Sequence, residues 1–533
     1  MHPRRNTMKL GMAGTEAPLR RWWTVLGALL LLGYFLLGLG HSLLFDVDEG
    51  AFSQATREMV NSGDWGHTTL NGTDRFDKPI GVYWLQAISV SLWGVNEFAL
   101  RLPSALAAWV ACLALALTAH KAWGPRAGVM AAMVFASSLG PWAMARTATA
   151  DGLLGLWLML SALDLWRYVS EDDRKALRRT ALWMALGVLT KGPVALLIPA
   201  AVLLLWQFAG PSPGLLQKTL RDVWAWLIFV GVAAPWYIYA WLRHGDAFIQ
   251  GFFLRHNLDR FSAPMEGHGG GWMYFLLVLP LLWMPWTPLA ISLIPRWRQL
   301  WATPLLRFAL LWAGFVVVFF SLSATKLPHY VLYAAPGVVL LLTYAGVQAK
   351  NWLWWLCACL FAAWLVLLLS LPQALRDHPE WIGDSLYQSL LQNAEAPHFV
   401  RAISASVLMV QILWLLSSRF LPSQVQLPRF GLLAMGGGAV LALGVLPWWS
   451  QALQQPIHAL ALRSAGQAAV QWGVHYPSFA LYRQSPAPRR APEEGELALV
   501  RSDRPTWPDD WPVVASVRGF ALVQRPLGSA PAP

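Results

Sequence analysis

The chain has 533 residues, of which 56% are hydrophobic and only 13% charged, and its formal net charge is +12. A soluble domain carries about 25% charged residues, so this composition excludes a soluble globular protein and indicates an integral membrane protein. The basic residues lie mostly in short loops between apolar runs, which positive-inside topology explains better than a nucleic-acid surface does; we therefore predict no nucleic-acid partner.

The first apolar run, Trp22 to Leu44, follows a basic segment that contains Arg4, Arg5, Arg20 and Arg21. A cleaved signal peptide has a shorter apolar region and a small-residue cleavage site, and no such site follows Leu44. The pattern predicts an uncleaved first membrane span with its N-terminus in the cytoplasm.

A bilayer core about 30 Å thick requires about 20 apolar residues in each helix, with some tolerance for tilt. The chain then has about thirteen candidate spans, at 22–44, 102–120, 127–144, 152–169, 180–191, 193–208, 222–242, 272–293, 307–323, 329–348, 352–371, 401–417 and 430–448. The loops assigned to the cytoplasm are the basic ones along the whole membrane part, as the positive-inside rule requires. The odd count places the C-terminus on the outer side.

Two stretches are ambiguous. Residues 80–93 are apolar enough to resemble a short span, but a crossing there would place basic loops outside, so we predict an amphipathic helix along the outer surface. Residues 181–206 are either one span or two. Two short spans that meet at Lys191-Gly192-Pro193 keep the lysine out of the bilayer centre and preserve the later topology.

The composition changes after about Trp448. Residues 475–533 contain Pro- and Arg-rich turns and two β-prone runs, Leu497 to Arg501 and Val513 to Val523. We predict an all-α polytopic membrane domain over 1–448, with a first outer loop at 45–101 that carries amphipathic helices. A small α/β domain outside the membrane follows over 449–533.

On this topology the ionic residues outside the basic loops share the outer face. Interfacial anchoring explains many of them singly, but as a set they predict an outer cavity for an anionic substrate. Cations suited to a phosphate are Lys78, Lys191, Lys326, Arg255 and Arg260. Candidate carboxylate bases are Asp48 and Glu49, candidate substrate contacts are Arg146, Asp151, His329 and Tyr330, and candidate divalent-metal ligands are Asp77 and His268.

Several of these residues lie in an ordered series of motifs: Asp48-Glu49, Phe76-Asp77-Lys78-Pro79, Arg101-Leu102-Pro103-Ser104, Arg146-Thr147-Ala148-Thr149-Ala150-Asp151, Thr190-Lys191-Gly192-Pro193 and Lys326-Leu327-Pro328-His329-Tyr330. This series resembles the GT-C glycosyltransferases that use polyprenyl-phosphate sugars. Within them it is most similar to the aminoarabinose transferase and protein mannosyltransferase-like group. The resemblance covers nearly the whole membrane part, and the terminal domain matches only in position.

The resemblance implies a GT-C fold in which Asp48 is the catalytic carboxylate and Lys78 contacts the lipid phosphate, helped by Arg255 or Arg260. It also implies that Asp77 and His268 lie close to a metal position, so a divalent metal ion is a candidate cofactor. One departure is Ala51, because the aminoarabinose transferases usually carry an arginine three residues after the catalytic aspartate. The acceptor or the sugar is therefore open.

The expected function is an inverting glycosyl transfer at the periplasmic face of a bacterial inner membrane. The donor would be an undecaprenyl-phosphate sugar and the acceptor a lipid A-like lipid or another envelope glycan. Two alternatives remain open: protein O-glycosylation on the same fold, and a lipid or sugar transporter. A transporter predicts internal repeats and charges spread through the membrane depth, and neither pattern is visible in the sequence.

Overall fold

The computed structural model describes residues 17–210, 214–259, 270–271, 273–392, 405–406, 409–410, 412–414, 426–505 and 507–529. These residues form a multi-pass, mostly helical membrane protein with a small terminal sheet. The helices of the first half are α1 Ala17–Leu36, α2 Asp48–Ser62, α3 Gly81–Trp93, α4 Glu97–Trp123, α5 Pro125–Ser137, α6 Leu139–Met144, α7 Ala150–Glu171, α8 Arg174–Lys191, α9 Val194–Ala209, α10 Leu215–Leu220, α11 Val223–His244 and α12 Asp246–Phe248.

The second half begins with a π-helix, Ile249–Asp259, that continues directly from α12. The later helices are α13 Tyr274–Leu282, α14 Trp297–Ala302, α15 Pro304–Leu322, α16 Ala335–Val347, α17 Asn351–Asp377, α18 Ser385–Gln392, α19 Gln426–Val440, α20 Leu446–Arg463 and α21 Pro477–Tyr482. The described part of the chain also has 3₁₀ helices at Thr287–Arg296, Pro328–Ala334 and Pro379–Trp381. A short π-helix, Leu441–Val445, joins α19 to α20.

Seven helices in the described part of the chain are long and apolar enough to cross a membrane. The bent pair Tyr274–Leu282 and Thr287–Ala302 would add an eighth if it forms one span. The apolar part of α1, Trp22–Leu36, and helix α9 are each shorter than the 18 residues required of a candidate span. The predicted span 401–417 lies largely outside the described residues, so the count of thirteen stays a prediction.

The ambiguous region 181–206 forms two helices. Helix α8 ends at Gly192, whose φ of 100° is a backbone conformation that favours glycine. Pro193 follows and has no amide hydrogen with which to continue the helix, so α9 begins afresh at Val194. The break therefore falls at the predicted Lys191-Gly192-Pro193 sequence.

The basic loops that were assigned to one side of the membrane do lie together. Arg178 pairs with Asp222 at 3.3 Å and Lys218 pairs with Asp172 at 3.7 Å, which joins the α7–α8 loop to the α10–α11 loop. A cavity of about 680 Å³ has Lys121 in its lining and also reaches the end of α7 and the start of α15. These contacts support the predicted grouping of the loops.

The predicted outer loop contains α2, α3 and a two-stranded hairpin, β1 (Thr69–Leu70) and β2 (Thr73–Asp74). Helix α3 has 13 residues and is about 20 Å long, well short of a bilayer core of about 30 Å. It packs against α2, α4 and α8 through buried side chains such as Val82 and Tyr83. Helix α4 begins at Glu97, five residues before the predicted span.

The terminal sheet has the strand order β3-β4-β6-β5, with β3 Ala469–Gln471, β4 Leu497–Arg501, β5 Val513–Val517 and β6 Phe520–Gln524. Strand β3 runs parallel to β4, and the other pairs are antiparallel. Strand β4 was predicted, but the run 513–523 forms a hairpin rather than one strand, because Arg518 and Gly519 turn the chain with positive φ angles. Strand β3 was missed.

The boundary predicted between residues 448 and 449 falls inside α20, which runs without interruption to Arg463. The terminal part also packs on the outer loop, since α21 lies against α2. Tyr482 accepts a hydrogen bond from the Leu44 amide at 2.9 Å and donates one to Glu97 at 3.0 Å. The loop and the terminal domain therefore share an interface beside the predicted site.

Candidate functional site

One cavity of about 290 Å³ brings together five of the predicted site residues, namely Asp48, Glu49, Arg146, Asp151 and His329. They come from the start of α2, the α6–α7 loop, the start of α7 and the 3₁₀ turn before α16. Three separate segments of the chain, 48–49, 146–151 and 329, thus meet at one cavity.

The adjacent acids Asp48 and Glu49 occupy different environments. Successive residues on an α-helix point about 100° apart, so two neighbours at a helix start point in different directions. Asp48 is exposed, whereas Glu49 is 3% exposed. Of the two, Asp48 is the carboxylate that a substrate in the cavity can reach.

Glu49 is the centre of a buried network. Its two carboxylate oxygens accept hydrogen bonds from Arg101 Nε and Nη2, both at 2.8 Å. They also accept from the backbone amides of Ala148 at 2.7 Å and Phe45 at 2.9 Å. Glu49 therefore ties α2 to α4 and to the α6–α7 loop, and its oxygens are already occupied. These contacts hold Glu49 in the protein, and the prediction that it acts on the substrate stays untested.

Asp151 lies within a second polar cluster. Lys191 Nζ is 2.5 Å from Asp151 Oδ1, His329 Nε2 is 3.4 Å from the same oxygen, and the Tyr333 hydroxyl also donates to it. Lys191 further donates to Tyr333 at 3.0 Å, and its ammonium lies 5.2 Å from the ring centroid of Tyr330. The predicted phosphate ligand Lys191 thus neutralises Asp151, and Tyr330 contributes an aromatic face.

Arg146 lies in the cavity wall and is 3% exposed. Its guanidinium donates to the carbonyl of Tyr34 at 2.8 Å and to that of Trp142 at 3.1 Å, and it stacks over the Trp142 ring. Burial lowers the pKa of Arg146 to about 10. A buried guanidinium held on carbonyl oxygens places positive charge beside the cavity without an acidic partner among these contacts.

Asp46 also lines the cavity and connects it to the terminal domain. The Ser478 amide donates to Asp46 Oδ1 at 3.0 Å, and the Ser478 hydroxyl donates to the other oxygen. Burial raises the pKa of Asp46 to about 7. The two hydrogen bonds from Ser478 act in the opposite direction, but their effect is smaller. Gly50 lies in this contact, since a Cβ there would come 2.6 Å from the Ser478 nitrogen.

Of the remaining predicted cations, the three that the structure describes, Lys78, Arg255 and Lys326, are not among the residues that line this cavity. Lys78 donates to the carbonyl of Asp77 at 3.0 Å and lines a smaller cavity with His67, Phe76 and His244. Arg255 is exposed on the π-helix, and Arg260 lies outside the described residues.

Lys326 is 5% exposed and donates to the carbonyls of Ser321 and Ser323 at 2.9 and 2.6 Å, so it caps the end of α15. Its predicted role in phosphate binding stays untested.

Only one member of the predicted metal pair lies in the described part of the chain. Asp77 pairs with Arg75 at 3.0 Å, and His268 lies outside the described residues, so the pair stays a prediction. The described residues also bring together His67, Asp74 and His244, whose ligand atoms all lie within 4.8 Å of one another. None of these three residues was predicted to belong to a site.

Four contributors to the site were missed: Arg101, Tyr333, Asp46 and Ser478. Arg101 stood in a quoted motif, and its place inside an apolar run was a usable signal, because a charge in a span is costly without a partner. Ser478 carried no comparable signal.

Comparisons with known proteins agree with the fold. A family described as dolichyl-phosphate-mannose-protein mannosyltransferase matches residues 77–239. A crystal structure of ArnT from Cupriavidus metallidurans bound to undecaprenyl phosphate superposes with a TM-score of 0.78 at 20% identity, covering 96% of this chain and 98% of that one. At that identity the likeness establishes the fold, and the predicted GT-C fold is confirmed.

Two curated relatives are similar in sequence. Both are named undecaprenyl phosphate-alpha-4-amino-4-deoxy-L-arabinose arabinosyl transferases. The one from Pseudomonas fluorescens is 30% identical over 64% of this chain and 58% of its own length. The one from Shewanella sediminis is 31% identical over 59% of this chain and 58% of its own. The chain thus matches less than two thirds of the length of these relatives. Their names confirm the resemblance that was inferred from the motifs.

Proposed function

We propose that this protein is a membrane glycosyltransferase that moves a sugar from an undecaprenyl-phosphate donor to a lipid A-like lipid or another envelope glycan. The observation that carries the proposal is the cavity whose lining includes an exposed Asp48 together with the Asp151 and His329 pair. The fold shared with an undecaprenyl-phosphate-bound structure supports the donor class.

Asp48 acts on the acceptor. An exposed carboxylate at the cavity wall can accept the proton of an acceptor hydroxyl as that oxygen attacks the anomeric carbon. Direct attack on the face opposite the lipid phosphate inverts the configuration at that carbon. If the acceptor is a phosphate, which is already ionised, Asp48 positions it instead. Glu49 and Arg101 hold the first turn of α2, and with it Asp48, in place.

The donor phosphate leaves with increasing negative charge. Lys78 and Arg255 neutralise it, because fixed cations in a water-poor site stabilise charge more strongly than water does. Arg146 adds a positive potential at the cavity. Asp151, balanced by Lys191 and oriented by Tyr333, accepts hydrogen bonds from the sugar hydroxyls. Lys191 is therefore assigned to Asp151 rather than to the phosphate.

The protein acts at the outer face of the bacterial inner membrane. This assignment places the basic loops joined by the Arg178–Asp222 pair in the cytoplasm, together with the N-terminal side of α1. The terminal domain, which packs on α2 beside the cavity, then lies in the periplasm. We place its start after α20 rather than at residue 449.

The direct test is the Asp48→Asn protein, incubated in membranes with radiolabelled undecaprenyl-phosphate sugar. Loss of a general base costs about 10²–10⁴-fold in rate, so transfer falls to near background. Asp172→Asn is the matched control. It lies at the opposite end of α7 with a φ of 53°, a conformation in which Asn is as suitable as Asp. Transfer by Asp48→Asn within a few-fold of the control would exclude this role.

The distribution of label separates the remaining functions. Label in a lipid or glycan other than the donor supports the proposal, and label in protein favours the protein mannosyltransferase chemistry named by the family match. Movement of intact donor across the bilayer with no transferred product would favour a transporter and contradict the proposal.

A further inference from the structure

A cluster of two histidines and one aspartate lies at the junction of the outer loop and α11. His67 precedes strand β1, Asp74 ends strand β2, and His244 is the last residue of α11. His67 Nε2 is 3.0 Å from Asp74 Oδ1, and His244 Nδ1 is 3.4 Å from Asp74 Oδ2. The two imidazole rings stack at 4.5 Å with an interplanar angle of 28°. Two residues of the hairpin segment thus meet a histidine that is 170 positions later in the chain than Asp74.

The separations match a metal coordination shell. Zn²⁺ binds nitrogen and oxygen ligands at about 2.0–2.2 Å, so neighbouring ligand atoms of a tetrahedral site lie about 3.3 Å apart. The separations of 3.0 Å to Asp74 Oδ1 and 3.4 Å to Asp74 Oδ2 fall around that value, each to a different oxygen of the carboxylate. Each separation alone also fits a hydrogen bond, but the carboxylate meets both imidazoles, and one ligand atom from each of the three residues lies within 4.8 Å of the others.

The donor types select the kind of metal. Two imidazole nitrogens and one carboxylate suit Zn²⁺ and similar transition metals, whereas Mg²⁺ and Ca²⁺ prefer oxygen ligands throughout. The two histidine side chains are 12% and 11% exposed, and Asp74 is 53% exposed. The site is therefore enclosed on the histidine side and open on the other, where water can complete the shell.

We propose that His67, Asp74 and His244 bind a divalent transition metal, with Zn²⁺ as the preferred ion and water in the remaining position. This site differs from the Asp77 and His268 pair that the sequence suggested. It links the hairpin of the outer loop to the end of α11, two segments that Trp236 Nε1 already joins through a hydrogen bond to the Gly66 carbonyl at 3.0 Å.

The metal would fix the phosphate-binding cations, a role that rests on the proposed function. Lys78 lies four residues after Asp74 and shares its small cavity with both histidines. The Phe76 ring contacts the rings of His244 and Phe248, so the segment that bears Lys78 lies against the junction that leads from α11 into the π-helix. Arg255 is on that π-helix. Cross-linking the two segments sets the distance between the two cations.

The first test measures metal binding alone, without donor or acceptor. Purified full-length protein in detergent is stripped with EDTA and titrated with Zn²⁺ against a chromophoric chelator, and Co²⁺ is used separately for its visible spectrum. The wild type is expected to bind one equivalent of Zn²⁺ and to give the intense Co²⁺ bands of a four-coordinate site. His67→Gln and His244→Gln are each expected to weaken Zn²⁺ binding at least tenfold, because each loses a ligand.

The matched control is His378→Gln. His378 also faces a carboxylate, Glu380 at 3.0 Å, but within the described ranges no second histidine shares that contact. The control should bind Zn²⁺ as the wild type does. Asp74→Asn is a second variant that should fold normally, because Asp74 is exposed. It should also lose the Co²⁺ bands. Absence of saturable binding by the wild type, or wild-type binding by both His244→Gln and Asp74→Asn, would overturn the proposal.

The second test addresses the cross-link. Binding of undecaprenyl phosphate is compared between metal-free and Zn²⁺-loaded wild type, with the affinity expected to fall at least tenfold without metal. Equal affinities would refute the proposal that the metal fixes the positions of Lys78 and Arg255. The first test would still show whether the three residues bind a metal. Neither measurement depends on glycosyl transfer, so a failed transferase assay does not affect the outcome.

Discussion

Replacing Arg101 with Met should be among the most damaging single changes outside the cavity itself. The guanidinium donates to both Glu49 oxygens and to the carbonyls of Leu39, Ser42 and Leu43, at 2.7–3.0 Å. Arg101 and Glu49 side chains are 1% and 4% exposed, so water cannot replace the lost partner. Removing one member of such a buried pair costs about 3–5 kcal/mol. Because Glu49 then moves or takes up a proton, Asp48 beside it is displaced and transfer is also lost.

A matched control exists on the protein surface. Arg490 makes an equally direct pair with Glu496, at 2.7 and 2.8 Å, but its side chain is 39% exposed. Arg490→Met should therefore cost at most about 1 kcal/mol.

Equilibrium unfolding in mixed micelles, followed by tryptophan fluorescence, gives both free energies. The double variant Glu49→Gln/Arg101→Met should be less destabilised than the sum of the two singles by about 1–3 kcal/mol, since it leaves no charge unpaired. Equal costs for Arg101→Met and Arg490→Met, or strict additivity in the double variant, would refute the argument.

Three further predictions concern the contacts around the cavity. Gly50→Ala should destabilise the protein by about 1–3 kcal/mol and speed proteolysis of the terminal domain, because its Cβ would meet the Ser478 nitrogen; Gly155→Ala, whose Cβ has open space, should not. Tyr333→Phe should cost about 1.5–3 kcal/mol of unfolding free energy, since Asp151 loses a donor, whereas Tyr330→Phe keeps its ring beneath Lys191 and should be nearly neutral. Asp46 has a folded pKa of about 7, above its ordinary 3.8, so the stability from its protonated form is complete below about pH 3.8 and is lost as the pH rises through 7. The thermal midpoint should therefore decrease as the pH rises from about 4 to 7, and Asp46→Asn should remove that part of the pH dependence; an unchanged profile in Asp46→Asn would contradict the assignment.

The sequence was most informative where a local rule decides the outcome. The helix break at Gly192-Pro193 and strand Leu497–Arg501 follow from backbone and side-chain preferences within a few residues. The gathering of Asp48, Arg146, Asp151 and His329 followed from topology, because helices that end on one side of a membrane bring their ends together.

The remaining features depend on packing between distant segments. Whether Asp48 or Glu49 is the exposed carboxylate depends on the rotation of α2 about its axis. The contact between Glu49 and Arg101 sets that rotation. The contact between Asp46 and Ser478 joins residues 432 positions apart, and nothing near either residue signals the other. The three-residue metal cluster is likewise formed only when α11 lies against the outer loop.

The interface between α21 and the start of α2 also limits how this protein can be engineered. Segment 44–50 lines the cavity with several residues, among them Asp46 and Asp48, and it also contacts Ser478 and Tyr482 of the terminal domain. A chimaera that joins the membrane helices of one homologue to the terminal domain of another must exchange 44–50 and 477–482 together. Homologues that differ in either segment should show paired substitutions in the other.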